Sequence, residues 1–187
     1  MTNTYVRPSD LKVLKHKHVS IINKPNSYLK LDYPPTKGHS QPVVSQASAI
    51  KVYQRLRARQ QAEGYGKDDD FVFQPAHASN RAYALQQIAR QFDQVLKLAD
   101  LKTTATGQSR TLYSLRHTAI MFRLLNAQGL DLLTLARGAR TSPEMIERFY
   151  GKYLTAEMNV DLMQSQRGGP HATRQRKAKS KKITKQP

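Results

Sequence analysis

The sequence predicts an α+β fold that is mainly helical, with a small antiparallel sheet near its N-terminus. Three features predict it. Short apolar runs separated by proline-bearing turns occupy residues 19–44. From Ala47 the apolar residues shift to spacings of three and four, the period of a helix packed along one face. Helix-starting and helix-ending residues then recur down to Gly151.

The elements follow in order. Pro8-Ser9-Asp10-Leu11 reads as a helix start, with proline tolerated in the first turn and an acid suited to the helix dipole. Val19–Ile22 and Tyr28–Leu31 read as strands around the turn Lys24-Pro25-Asn26-Ser27. Val43-Val44 is a third strand, after the turn Pro34-Pro35-Thr36-Lys37-Gly38. Ile50, Tyr53, Leu56 and Arg57 carry a helix as far as Gly64. Ala82, Leu85, Ile88, Ala89, Phe92, Val95, Leu96 and Ala99 mark a second helix of roughly five turns with one apolar stripe. Leu112 to Ala127 is a third. Leu132, Leu133, Leu135 and Ala136 form a short helix ending at Gly138. Ser142-Pro143-Glu144 opens another, with serine as N-cap and proline at the first position; it carries Met145, Ile146 and Phe149. A last helix, Thr155 to Gln164, sets Met158, Leu162 and Met163 on one side. Two regions result: an ordered domain over 1–166 and a basic disordered tail over 167–187.

Charge narrows the class. The 187 residues include 31 Lys+Arg against 13 Asp+Glu, a formal net charge of +18, which points to a polyanionic partner, most often nucleic acid. The tail holds Arg167, Arg174, Arg176, Lys177, Lys179, Lys181, Lys182 and Lys185 and no acid. It is either a solubilising end or a phosphate-binding arm. The remainder stays basic without it. No apolar run approaches the ~18 residues of a membrane helix, and the first residues form no apolar signal region. With no cysteine there is no disulfide, thiolate zinc site or cysteine nucleophile, and a reducing cytoplasm is the expected location.

Common catalytic constellations are missing. His16, His18, His39, His77, His117 and His171 form no HExxH-like cluster, so no metal is expected. Gly64-Tyr65-Gly66-Lys67 lacks the spacing of a phosphate loop, and there is no GxSxG elbow. What remains is arginine, lysine and tyrosine: Leu115-Arg116-His117-Thr118 near a helix start, and Glu147-Arg148-Phe149-Tyr150-Gly151 at a helix end. Singly, such residues are a solvated face or a half-buried core tyrosine.

Together, Leu115-Arg116-His117-Thr118 and Thr141-Ser142-Pro143-Glu144-Met145-Ile146-Glu147-Arg148-Phe149-Tyr150-Gly151 resemble the C-terminal signature of the tyrosine recombinases, the phage integrase family. Arg7-Pro8-Ser9-Asp10-Leu11 is similar to the stretch around that family's first catalytic arginine, and Thr36-Lys37-Gly38 to the hairpin that holds its lysine. The resemblance covers roughly residues 4–165 and implies the catalytic core of that family. It implies Tyr150 as nucleophile, Arg7 and Arg116 as phosphate clamp and Lys37 as general acid. Asp10 would fix Arg7, and His117 would shape the site. A phosphotyrosyl ester stores the energy of the broken bond. Arginine forks neutralise phosphate charge and favour phenoxide nearby, and a lysine protonates the departing 5′-oxygen.

This sequence departs from the pattern in three ways. Tyr113 stands where a His or Lys is common, three residues before the second arginine. Thr141 stands where a His or Trp is expected. The family's N-terminal DNA-clamping domain and the helices preceding its first arginine have no counterpart, so a truncated catalytic domain is expected. Tyr153 is the rival nucleophile. The implied partner is double-stranded DNA, gripped mainly by its phosphates, with a homotetramer that trades Thr155–Gln164 between protomers and no cofactor. The tail residues Arg174, Arg176, Lys177, Lys179, Lys181 and Lys182 would add phosphate contacts. Two alternatives stand beside recombination: an inactive DNA-binding remnant, and a basic structural nucleic-acid-binding protein.

Overall fold

The computed structural model describes residues 1–34, 41–127 and 129–151. The positions assigned to Lys37, to Tyr153, to the helix 155–164 and to the basic tail lie outside the described residues.

The fold is mainly helical α+β. Strands β1 (Val19–Ile22), β2 (Tyr28–Leu31) and β3 (Val43–Val44) form an antiparallel sheet in the order β1-β2-β3. Val19 pairs with Leu31 and Ile22 with Tyr28, while Leu31 pairs with Val43 across the other edge. Alternation along β2 buries Leu29 and Leu31 on one face. Helix α1 (Ser48–Ala62) packs on that face through Ala49 and Tyr53, and Val6, Leu11, Leu14, Tyr33, Val43 and Val72 complete the core. Pro8–Lys12 is a 3₁₀ turn rather than the start of a longer helix.

Helices α2 (Arg81–Leu98), α3 (Leu112–Asn126), α4 (Leu132–Gly138) and α5 (Pro143–Tyr150) follow. Each has a polar cap at its start. The Asn80 side chain accepts from the Tyr83 amide at 3.0 Å and Asp131 from the Thr134 amide at 2.8 Å. At α3 the Thr111 amide donates back to Ser114 Oγ, closing a reciprocal box. Ser142 accepts from the Met145 amide, with Pro143 at the first position.

A second core lies among the last three helices: Ile120, Leu135, Ala136, Ala139, Ile146 and Tyr150. Here apolar periodicity overstates burial. Of Met145, Ile146 and Phe149 on α5, only Ile146 is buried, and Met145 and Phe149 are exposed. On α2, Ala84 and Leu96 are the buried positions, whereas Val95 is 58% exposed.

Arg81 joins the start of α2 to the turn beside Arg7. Its guanidinium donates to the carbonyls of Leu11, Lys12, Phe73, Gln74 and His77 and lies 3.9 Å from the Phe71 ring centroid. Among the described residues no helix is long and apolar enough to cross a membrane.

Candidate nucleic-acid interface and reacting groups

Helix α3 presents its second and third turns to the second core. Leu112, Arg116 and Ile120, four residues apart, share one buried face. A charge therefore sits where the pattern calls for an apolar side chain. Arg116 is 3% exposed. Its Nη1 donates to Tyr5 O and its Nη2 to Ala139 O, so main-chain carbonyls from both ends of the domain hold it. Burial disfavours its charge, and the neighbouring Arg7 adds to the effect.

Tyr113 and His117 lie one helical turn apart on the adjoining face, with ring centroids 4.9 Å apart, edge to face. The row continues to Tyr150, whose hydroxyl is 2.5 Å from His117 Nδ1. Tyr150 ends α5 and is 6% exposed. Burial pushes its phenol up to about 12, with Arg116 pulling the other way. Arg116 favours phenoxide, the direction the sequence-based reading gave for the arginines. Withdrawal from water outweighs Arg116 in the uncomplexed protein. Burial and Arg116 both hold the His117 imidazole below 6.5. At neutral pH the pair is therefore a neutral phenol facing a neutral imidazole, and the imidazole tautomer sets which of the two donates.

Arg7 enters from the N-terminal segment. Its amide donates to Asp10 Oδ2 at 2.7 Å, and its Nη2 donates to the main-chain oxygen of Arg140. Asp10 is itself buried and also accepts the Tyr33 hydroxyl at 2.9 Å. The structure thus brings together Arg7, Asp10, Tyr113, Arg116, His117 and Tyr150. Arg116 and Tyr150 are buried instead of lining an open concave surface. Thr141 sits in the α4–α5 turn, its amide bonded to Ala136 O at 2.9 Å.

Sequence reasoning missed three residues. Tyr5 and Arg140 both have left-handed backbones, with φ of 55° and 49°. Both turn their carbonyls to the arginines: Tyr5 O to Arg116, Arg140 O to Arg7. Arg140 follows α4 as the C′ residue of a Schellman turn, its amide bonded to Arg137 O and that of Thr141 to Ala136 O. Glycine is the usual occupant, because a Cβ there costs about 1–2 kcal/mol. Arg140 is also 3% exposed, and its Nη2 is buried with no hydrogen-bond partner among the described residues. An unmet buried donor costs about 1–3 kcal/mol more. Tyr33, the third, lies under the Arg140 guanidinium. The available signal was the helix end itself: Gly138 precedes the left-handed position by two residues and leaves it to an arginine.

Among the described residues no group of three or more His, Cys, Asp or Glu side chains could hold a metal ion. No family model matches the chain, and no curated protein sequence matches it. Among solved structures, the crystal structure of XerA recombinase matches with a TM-score of 0.59 and 17% sequence identity, over 88% of this chain and 56% of that one. The likeness is one of fold: the chain has a recombinase-like architecture and spans little more than half the length of that neighbour.

Proposed function

We propose that the chain cuts and rejoins duplex DNA through a 3′-phosphotyrosyl intermediate on Tyr150. The observation that carries this reading is the contact between the Tyr150 hydroxyl and His117 Nδ1 beside the buried Arg116. The recombinase-like fold and the net charge of +18 agree with it. The Tyr150 oxygen attacks phosphorus while the bond to the 5′-oxygen breaks. The phenol proton passes to Nδ1 of a neutral His117 whose own proton is on Nε2. Arg7 and Arg116 balance the charge gathering on the non-bridging oxygens. By resemblance to the tyrosine recombinases, Lys37 protonates the leaving 5′-oxygen. Attack by a free 5′-hydroxyl on the phosphotyrosyl ester then reseals a strand. On DNA, a tetramer would pair two such exchanges.

A nicked duplex that loses its 5′-hydroxyl fragment after cleavage traps the intermediate. The expected result is a covalent adduct on the unaltered chain and on Tyr153→Phe, and none on Tyr150→Phe, with duplex binding kept in all three. An adduct that persists in Tyr150→Phe overturns the nucleophile assignment. The second reading is DNA binding without cleavage, which the burial of Tyr150 favours. Its signature is retained binding with no adduct from the unaltered chain.

A further inference from the structure

Four residues from three separated stretches of chain close a ring beside Arg116. Arg7 Nη2 donates to the main-chain oxygen of Arg140. The Arg140 guanidinium lies 4.1 Å from the centroid of the Tyr33 ring. Tyr33 donates its hydroxyl proton to Asp10 Oδ2 at 2.9 Å, and the same oxygen accepts the Arg7 amide at 2.7 Å. The ring therefore meets Arg7 twice, at its main chain and at its guanidinium. Outside the ring, Arg140 Nε donates to Gln41 O at 2.6 Å and ties the turn to the segment entering β3.

We infer that Arg140 is a positioning residue for Arg7: with its side chain anchored on Tyr33 and Gln41, its carbonyl holds the Arg7 guanidinium aimed at the scissile phosphate. This deepens the strand-transfer reading and rests on it. The backbone makes the argument sharper. Glycine at position 140 would supply the same carbonyl, would suit the left-handed φ of 49°, and would bury no unpartnered Nη2. The guanidinium is what the site gains for those costs, and strain of this kind persists where the surroundings use it. Arg7 needs such help because it is only partly buried, on a long and flexible side chain. Arg116, by contrast, is held at both terminal nitrogens.

The test uses the full chain and two nicked duplexes, one with an ordinary scissile phosphodiester and one with a methylphosphonate there. The methyl group removes the negative charge that Arg7 would balance. Arg7→Ala sets the benchmark: a large loss of adduct rate on the phosphodiester and a much smaller loss on the methylphosphonate, each relative to the unaltered chain. Arg140→Gly is expected to repeat that pattern. Its adduct rate should fall about 10²-fold on the phosphodiester, the size of a misplaced reacting group. On the neutral substrate the fall should be roughly tenfold or less, since the charge to be stabilised is gone. Duplex binding should be unchanged, and a thermal melt checks that the variant is folded. Tyr33→Leu, which removes the ring under the Arg140 guanidinium, should show the same preference at smaller amplitude and beyond any effect of Tyr33→Phe, which keeps the ring, and this pair decides the matter if Arg140→Gly does not fold. Equal losses on the two substrates, or no loss on the phosphodiester, overturn the inference while leaving strand transfer intact. If Arg7→Ala shows no substrate preference, the inference falls with the charge role of Arg7. No adduct from the unaltered chain on either substrate overturns the strand-transfer reading and this inference with it.

Discussion

Around the sheet, His16 is buried with both ring nitrogens bonded, to Tyr53 OH at 2.9 Å and Gln60 Oε1 at 2.8 Å. Gln60 in turn donates to Val72 O at 3.0 Å, and the His16 amide to Asp70 O. Around Tyr150 the buried Arg116 and Arg140 and the partly buried Arg7 are held by main-chain carbonyls. Two of those carbonyls belong to left-handed residues, and one guanidinium nitrogen has no partner among the described residues. The first core spends its polar groups on a closed network that fixes one arrangement. The second keeps cationic donors out of water with part of their bonding capacity uncommitted. On the proposed strand-transfer reading, a phosphate that gains access to Arg116 would meet donors already held in place.

The largest expected effect that tests this contrast is at Arg116. Arg116→Ala leaves Tyr5 O and Ala139 O unpaired, so stability should fall by about 2–4 kcal/mol. Adduct formation per folded molecule should fall about 10²–10³-fold. Denaturant titration and trapping on the nicked duplex measure the two separately. His16→Ala should cost a similar amount, about 3 kcal/mol, through the cavity and the orphaned Tyr53 and Gln60 groups. Adduct formation per folded molecule should stay at the level of the unaltered chain. A matching loss of chemistry in His16→Ala would erase the distinction between the cores.

The smallest effect is with pH. Burial holds His16 below its ordinary 6.5, with Gln60, Asp70 and Asp68 opposing and Arg57 adding to the shift. The unfolded chain therefore takes up a proton below pH 6.5 that the folded chain refuses. Stability should be level above about pH 7 and should decline as pH falls through 6.5 toward the lower folded value. His18 and His117, also held low, add to the decline. Thermal melts from pH 7.5 to 5 check it, and His16→Gln should flatten the slope.

The sequence was most legible where local chemistry decides the outcome. β1, β2 and β3 stand where short runs and turns put them, and α5 begins at the Ser142-Pro143 pair. Three-dimensional competition decided the rest. Val95 has the right period for burial, yet α2 meets too little protein on that side to cover it. Of the candidate site, motif residues were readable because each occupies a recognisable local phrase. Tyr5, Tyr33 and Arg140 were not, because their roles come from carbonyls and rings that meet only after folding. Position 140 was harder still: its conformation favours glycine, and an arginine there reads as surface charge.

The hydrogen bond from Arg7 to Arg140 joins positions 133 apart in the chain, and that from Arg116 to Tyr5 joins positions 111 apart. This spacing sets a timetable during synthesis. At roughly 5–20 residues per second, Arg7 waits about 7–27 s for its acceptor to be made, and Tyr150 comes later still. On the proposed strand-transfer reading, the emerging polypeptide until then has no assembled clamp and no nucleophile. On that same reading, the order of residues along the chain would act as a safeguard, since a half-made copy would lack both the clamp and the nucleophile.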